Sequence, residues 1–119
     1  MSVVLSDLDR DLLARCLSGT PGAWDSFVDR YLPLISHVVN STAKSRLGGL
    51  PDEVRDDLVA DIMLGLVDQD YAVLRRFRGQ SSLGTYLVVV SRRIAVRKLA
   101  KMRRVSKAAS ELDANGTLV

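Results

Sequence analysis

The sequence predicts an all-α protein, a compact bundle of about four helices. Apolar residues recur at steps of three and four along most of the chain, as they do on the buried face of a helix. Residues that favour turns divide this pattern into four segments, and 119 residues are enough for one domain with a modest core. The segment Leu87-Val88-Val89-Val90 is rich in β-branched side chains, but a single strand among helices has no partner. We therefore expect a helix there as well.

Two helices are expected in the first half of the chain. Ser6 is typical of the N-cap of the first helix, whose first turn is acidic and whose end is marked by Gly19. Thr20-Pro21 then favours a new helix, with Thr as its cap and Pro as its first residue. Pro33 interrupts the apolar repeat of this second helix, so we expect a kink or a short break there. Residues 44–50 contain two adjacent glycines and are expected to form a loop.

Two further helices are expected in the second half. Pro51-Asp52-Glu53 begins the third, whose apolar positions are spaced by four residues. A polar turn over residues 79–84 precedes the last helix, for which Thr85 is the expected cap and Arg104 the approximate end. Helical periodicity is lost after that point. The predicted domain therefore covers residues 1–104, and residues 105–119 are expected to be a flexible tail or an interdomain linker.

Charge is distributed very unevenly along the chain. Residues 1–70 hold 6 basic and 12 acidic side chains, whereas residues 71–119 hold 11 basic and 2 acidic ones. The basic ones are Arg75, Arg76, Arg78, Arg92, Arg93, Arg97, Lys98, Lys101, Arg103, Arg104 and Lys107. A cationic run in an otherwise acidic protein is typical of a surface that meets phosphates, and it also fits a solvated helix face.

The last helix is predicted to separate its charges from its packing face. At about 100° per residue, four cations fall on one stripe: Arg93, Arg97, Lys101 and Arg104. The opposite stripe is apolar and consists of Val88, Ala95, Leu99 and Met102. Arg92 and Arg103 flank the cationic stripe. One face can thus pack on the bundle while the other is available to bind phosphates.

The sequence favours a cytoplasmic protein. No segment approaches the roughly 20 apolar residues of a membrane span, so no contact with a membrane is expected. The acidic N-terminus lacks the basic leader of a signal peptide. Cys16 is the sole cysteine, so it cannot form an internal disulfide, and its apolar neighbours favour a buried thiol.

An enzyme is not expected. Asp57, Asp61 and Asp68 form an acidic stripe on the third helix, but no histidine or nucleophile accompanies them, so a solvated or partner-facing stripe is favoured. His37 has no metal ligand at a suitable spacing, so no metal site is predicted. The glycines lack the spacing of nucleotide-binding loops, so no cofactor is predicted. Trp24, Phe27 and Tyr31 share a helical spacing that favours core residues over a binding platform.

Four fragments, in order, resemble region two of bacterial sigma factors of the sigma-70 family, most closely the extracytoplasmic-function (ECF) group. Residues 56–63, DDLVADIM, are similar to the family's DDLVQEVF, and residues 77–79 match its FRG. Residues 83–87, LGTYL, resemble FRTWL, and residues 90–93, VSRR, resemble IARN. The likeness covers roughly residues 8–104 and implies the helical fold of that region.

This chain also departs from the family pattern. Tyr86 replaces the usual Trp, Arg93 the usual Asn, and Arg97 stands where Asp is frequent. The last helix is therefore more cationic than is usual, which bears on base preference. The family normally carries a further helix-turn-helix domain, for which the residues after Arg104 are too few. Either residues 105–119 lead to another domain, or the chain is a single-domain relative.

The resemblance implies a domain that binds core RNA polymerase and recognises and melts the promoter −10 element. It assigns Asp57, Asp61 and Leu64 to a coiled coil of the polymerase's largest subunit. It places other side chains near the non-template strand of the DNA, and these are Arg78, Gln80, Ser81, Ser82, Tyr86, Arg92, Arg93, Arg97, Lys98, Lys101 and Arg104. It also implies an anti-sigma factor as a further partner. Tyr86 fits two roles, a platform for a flipped base or a ring packed under the loop.

Two other functions remain open at the level of sequence. A helical protein-interaction module could regulate transcription without sequence-specific DNA binding and use its basic helix for solubility or for an acidic protein surface. A nucleic-acid enzyme could use the acidic stripe with a divalent metal. Salt-dependent affinity for single-stranded DNA distinguishes the sigma hypothesis from the first, and metal-dependent activity would mark the second.

Overall fold

Four helices make up nearly all of the chain that the structure describes. The computed structural model describes the backbone of residues 6–114 and the side chains of residues 6–112. The helices are α1 (Asp7–Leu17), α2 (Ala23–Leu47), α3 (Asp52–Arg75) and α4 (Leu83–Ala114), and residues 6–114 contain no strand. The predicted all-α bundle is therefore confirmed, and the β-branched segment 87–90 is helical.

α2 lies at the centre of the bundle and contacts each of the other three helices. Its side chains Phe27, Ile35 and Val39 are fully buried. They meet apolar side chains of the neighbouring helices, among them Leu58, Ile62 and Leu66 of α3 and Leu87, Ala95 and Leu99 of α4. Each large apolar side chain buried in this way contributes about 1.5–3 kcal/mol. This packing fixes the rotation of α4 about its axis and thus determines which of its side chains face outward.

The aromatic residues of α2 belong to this core, as predicted. The Trp24 ring stacks on Phe27 with ring centroids 5.1 Å apart, and Phe27 meets Tyr31 at 5.0 Å. Phe27 and Tyr31 are buried, and the half-buried Trp24 also packs against Tyr71 of α3. These rings hold α2 against α3 and are not available as a binding platform.

A buried carboxylate joins α1 to α2. The Ser6 hydroxyl caps α1 by accepting the N–H of Asp9, and it donates to the Asp9 carboxylate in return. That carboxylate also accepts a hydrogen bond from Arg30 at 2.8 Å and another from the hydroxyl of Tyr31. Burial would raise the pKa of Asp9, but the hydrogen bonds from Tyr31, Arg30 and Ser6 together lower it. Burial and the Asp9 hydrogen bond raise the pKa of Tyr31 to about 12.

The start of α2 differs from the prediction. Thr20 and Pro21 are turn residues, because the Ala23 N–H donates to the Thr20 carbonyl at 3.1 Å and Gly22 adopts a φ of 80°. Proline followed by a glycine with positive φ is the signature of a type II turn. The helix begins after that turn, at Ala23, so the expectation that Thr20 caps it was wrong.

Pro33 does not break α2, which is continuous from Ala23 to Leu47. The Pro33 side chain lies on the exposed side of the helix, where water can satisfy the carbonyl that proline leaves unpaired. The expectation of a short break was wrong. The following loop is also shorter than expected, because the helix continues to Leu47 and ends at Gly48, whose φ is 76°.

α3 contains an unexpected interruption near its end. Asp68 leaves the helical conformation, and Gln69, Asp70 and Tyr71 follow with φ of 53°, 55° and 60°. Arg75 holds this left-handed turn against α1: its guanidinium donates to the Asp70 carbonyl at 2.7 Å and to the Leu17 carbonyl at 2.9 Å. This basic residue therefore has a structural role. Left-handed conformations cost non-glycine residues roughly 1–2 kcal/mol each.

Both ends of α4 differ from the prediction. The Ser82 hydroxyl accepts the Thr85 N–H at 3.0 Å, so Ser82 caps the helix and Thr85 lies in its first turn. The predicted end at Arg104 was wrong, because α4 continues to Ala114. Residues 105–112 are all exposed. A helix segment that buries no face needs no apolar repeat, and this is why the sequence pattern did not indicate it. Of the predicted tail or linker, residues 105–119, residues 105–114 belong to α4 and residues 115–119 lie outside the described residues.

Candidate nucleic-acid interface

A groove of about 430 Å³ opens where the end of α3, the connecting loop and the start of α4 meet. We call it the Tyr86 groove, and its principal walls are Arg76, Ser81, Tyr86, Val89, Arg93 and Arg97. Val73, Val90 and Ile94 complete its apolar surface. The groove therefore combines an aromatic ring and aliphatic side chains with three guanidinium groups.

Two contacts, one by the hydroxyl and one by the ring, fix the position of the Tyr86 side chain. Its hydroxyl donates to the Val73 carbonyl at 2.6 Å, and its ring packs on Phe77 with centroids 4.9 Å apart. Burial raises the pKa of the Tyr86 hydroxyl, and the positive charges of Arg76 and Arg93 partly offset that effect. The ring is thus packed under the loop and also forms a wall of the groove. Because its O–H donor is committed to Val73, the ring is the main surface that Tyr86 offers to a ligand.

The loop residues predicted to lie near a base occupy different positions. Ser81 lines the groove, and its hydroxyl donates to the Ser82 carbonyl at 3.0 Å. Ser82 is engaged in capping α4, and its hydroxyl also donates to that of Thr85 at 2.8 Å. Gln80 and Arg78 are exposed. Of the three predicted polar readers, Ser81 alone is placed both in the groove and with lone pairs free of the helix cap.

The cationic stripe of α4 faces outward as predicted. All four of its members are exposed, and they are Arg93, Arg97, Lys101 and Arg104. On the opposite side Ala95 and Leu99 are buried, while Val88 and Met102 are half-buried. Within residues 6–112, no ion pair involves a member of this stripe. These charges are therefore available to an external anion, and Arg93 and Arg97 lie in the groove itself.

Two other predicted DNA-binding residues lie on either side of that stripe. Arg92 borders a second depression on the surface of α4, which Val89, Arg93, Val96 and Arg97 also line. Lys98 lies on the side that faces α3, where its ammonium approaches the Asp61 carboxylate at 3.7 Å. The two partners have 42% and 51% of their side-chain surfaces exposed. Lys98 is thus paired with a residue that the sequence assigned to a different interface.

The predicted polymerase-binding residues share an exposed face of α3. Asp57, Asp61 and Leu64 are all exposed, and Leu64 is the most exposed large apolar residue of the described chain, at 64%. A leucine exposed between carboxylates is typical of a protein-docking surface more than of a metal site. Asp68 follows at the end of the helical part, where its carboxylate accepts the Gln69 N–H at 3.0 Å.

Sequence reasoning missed Arg76 as a site residue. The α3 interruption before Tyr71 and the helix end after Arg75 place Arg76 at the rim of the groove, across from α4. It was counted in the basic segment, but helical periodicity could not align it with Arg93. Val89 was missed for a related reason, because its 45% exposure follows from the fixed rotation of α4.

The described residues offer little support for other kinds of site. They contain no group of three or more potential metal ligands. In the same part of the chain, none of the helices combines the length and apolarity needed to cross a membrane. Cys16 is buried, and its thiol lies 3.5 Å from the Ala23 carbonyl.

Comparison with protein-family models, with curated proteins and with solved structures gives no match to this chain. The likeness to sigma region two consequently rests on the four sequence fragments. Two of those fragments contribute lining residues to the Tyr86 groove: residues 83–87 supply Tyr86, and residues 90–93 supply Val90 and Arg93.

Proposed function

We propose that this chain is a sigma-factor-like domain, without catalytic activity, that binds core RNA polymerase and captures the non-template strand of the −10 element. The observation that carries the proposal is the Tyr86 groove. It joins an aromatic wall to Arg76, at the end of α3, and to Arg93 and Arg97 of α4, a helix whose outward face is cationic. Such a combination suits a single nucleic-acid strand, because every base has a face that can stack and every linkage carries a charge.

Strand capture can supply the energy for opening DNA. Stacking of a base on an aromatic ring is worth about 1–3 kcal/mol, and neutralising phosphates adds affinity that falls as salt rises. Unpairing a base costs a few kcal/mol, so one captured base with its phosphate contacts offsets the loss of one pair. No hydrolysis is required. The Arg93 and Arg97 contacts position the strand, whereas the loop beside Ser81 is the part able to contact base edges.

The acidic face of α3 suits the polymerase. Asp57 and Asp61 offer carboxylates to a basic partner, and Leu64 offers an apolar anchor between them and the end of the helix. This face shares no residue with the Tyr86 groove, which meets α3 only near its end, so one domain can bind polymerase and DNA together. The sequence resemblance assigns the coiled coil of the largest polymerase subunit to this face.

The alternative is a helical interaction module that regulates transcription without direct, sequence-specific DNA binding. The exposed Leu64 fits both hypotheses. The row of exposed cations that continues from the Tyr86 groove along α4 favours the sigma-like function, because a polyanionic strand can meet successive charges of such a row. An anti-sigma factor remains part of the proposal through the resemblance.

The DNA part of the proposal is tested by the salt dependence of single-stranded DNA binding, measured by fluorescence anisotropy. Arg93 and Arg97 are changed together to Gln, which keeps the side-chain stems and removes two charges. The log–log salt slope should fall by about 1.4, since each phosphate contact on a single strand contributes roughly 0.7.

The matched control changes Arg10 and Arg46 to Gln. Both are exposed, lie on α1 and α2, and do not line the groove. This control removes the same two charges and should leave the slope nearly unchanged. Equal slopes for the two double variants would contradict the assignment of the groove to phosphate binding, and absence of salt-dependent binding in the unmodified protein would favour the interaction module.

A further inference from the structure

Arg76 is a basic residue outside the cationic helix that nevertheless lines the Tyr86 groove. It caps the end of α3, where its backbone N–H donates to the Val73 carbonyl at 3.3 Å. Its side chain is exposed, and within residues 6–112 it has no ion-pair partner. Arg93 and Arg97 reach the same groove from α4. Three guanidinium groups, one just beyond the end of α3 and two on α4, therefore border one concave surface with no carboxylate among its lining residues.

The electrostatics of Tyr86 show that Arg76 and Arg93 act on the same place. Each of these charges favours the ionised form of the Tyr86 hydroxyl and so opposes the effect of burial on its pKa. The hydroxyl lies at the Val73 carbonyl, next to the end of α3. The charges of Arg76 and Arg93 thus both act at the end of the groove that holds the Tyr86 hydroxyl.

We propose that Arg76, Arg93 and Arg97 together clamp a single backbone phosphate of a nucleic-acid strand, with the adjoining base lying against Tyr86. This inference rests on the proposed function, since it takes a single strand as the ligand. Arg76 closes the clamp from the side opposite α4. Guanidinium groups suit this task because their planar donors match phosphate oxygens in pairs.

The rest of the groove fits the nucleoside attached to that phosphate. Its volume of about 430 Å³ falls within the roughly 300–1,000 Å³ of small-ligand sites. The Tyr86 ring and the exposed Val89 supply flat and apolar surface, and the Ser81 oxygen retains lone pairs that can accept from a base amino group. An acidic peptide could satisfy the arginines, but it would leave the aromatic wall unused. The cations continue along α4 through Lys101, as a polyanion requires.

The clamp predicts that one phosphate of the strand contributes more to binding affinity than the phosphates on either side of it. A short single-stranded DNA is prepared in versions that each carry one neutral methylphosphonate linkage at a different position. Anisotropy titrations with the unmodified protein should show one linkage whose neutralisation weakens binding about tenfold, and smaller effects elsewhere. Arg76→Gln should weaken binding of the unmodified DNA by a similar factor. In the Arg76→Gln variant, neutralising that linkage should weaken binding much less, because the substitution and the neutral linkage remove the same interaction.

Arg103→Gln is the matched control, since Arg103 is an exposed arginine of α4 that does not line the Tyr86 groove. In the Arg103→Gln variant, neutralising the one sensitive linkage should still weaken binding about tenfold. Because the Arg76 side chain makes no hydrogen bond within residues 6–112, its variant should keep the helical circular dichroism of the unmodified protein. If Arg76→Gln behaves like Arg103→Gln while DNA binding stays salt-dependent, the clamp is wrong and the proposed function stands. If the unmodified protein does not bind the strand, or an acidic peptide of equal charge displaces it equally well, both are overturned.

Discussion

The Asp61–Lys98 ion pair predicts that the proposed polymerase-binding and DNA-binding surfaces are coupled. Lys98 cannot fully serve a phosphate while its ammonium is 3.7 Å from the Asp61 carboxylate. Replacing Asp61 with Asn releases Lys98 and should raise affinity for single-stranded DNA. An ion pair with both partners about half exposed is worth about 0.2–1 kcal/mol, so the gain is about 1.4- to 5-fold. Anisotropy titration at low salt, where such pairs are screened least, measures it.

Removing any carboxylate also lowers repulsion of DNA, so the effect needs a matched control. Asp57→Asn removes the same charge from the same exposed face, and within residues 6–112 Asp57 forms no ion pair. It should raise affinity less than Asp61→Asn does. In a Lys98→Gln background the two substitutions should become equivalent. If Asp61→Asn and Asp57→Asn act equally with Lys98 present, the reasoning is refuted.

Three further predictions concern residues that stabilise the fold or the groove. Asp9→Asn should cost about 2 kcal/mol in urea unfolding, since hydrogen bonds to a charged group are worth about 1.5–3 kcal/mol each. Because the pKa of Asp9 is lowered, its contribution is complete above the unfolded pKa near 3.9 and is lost as pH falls, so the variant should lose less stability between pH 5 and pH 2 than the unmodified protein. Gln69→Gly should stabilise the fold by about 0.5 kcal/mol, because glycine adopts the left-handed conformation without steric strain. The control Ala60→Gly, in the helical part of α3, should destabilise the fold by about 1 kcal/mol. Destabilisation by both substitutions would show that the turn is unstrained. Tyr86→Phe should lose about 1 kcal/mol of stability with its hydrogen bond to Val73 but keep DNA affinity, and a large loss of affinity would assign the hydroxyl a direct role.

The helices were predictable because apolar spacing is a local signal. The outward cations of α4 followed from the same periodicity, since Leu99 and Ala95 had to face the core. Helix boundaries were less predictable, because several residues within a few positions of each other can each serve as the N-cap. Ser82 and Thr85 are both suitable caps, and the observed choice depends on where Leu83 enters the core.

The composition of the groove could not be predicted from helical periodicity. Arg76 joins Arg93 across the groove only because α3 is interrupted by three left-handed residues and ends at Arg75. Nothing in the segment from Asp68 to Tyr71 marks this turn, since it contains no glycine or proline. The Asp61–Lys98 pair was missed for the same reason, because it depends on how α3 lies against α4.

The most direct test of the central claim is equilibrium binding of this chain to core RNA polymerase. Pull-down of the largest subunit near physiological salt should succeed with the unmodified chain and fail with Asp61→Lys, while the helical circular dichroism stays the same. The polymerase complex should then bind a single-stranded −10 sequence more tightly than a scrambled strand of equal length. Retained polymerase binding by folded Asp61→Lys would remove the assignment of the α3 face, and a lack of binding by the unmodified chain would contradict the sigma-like function.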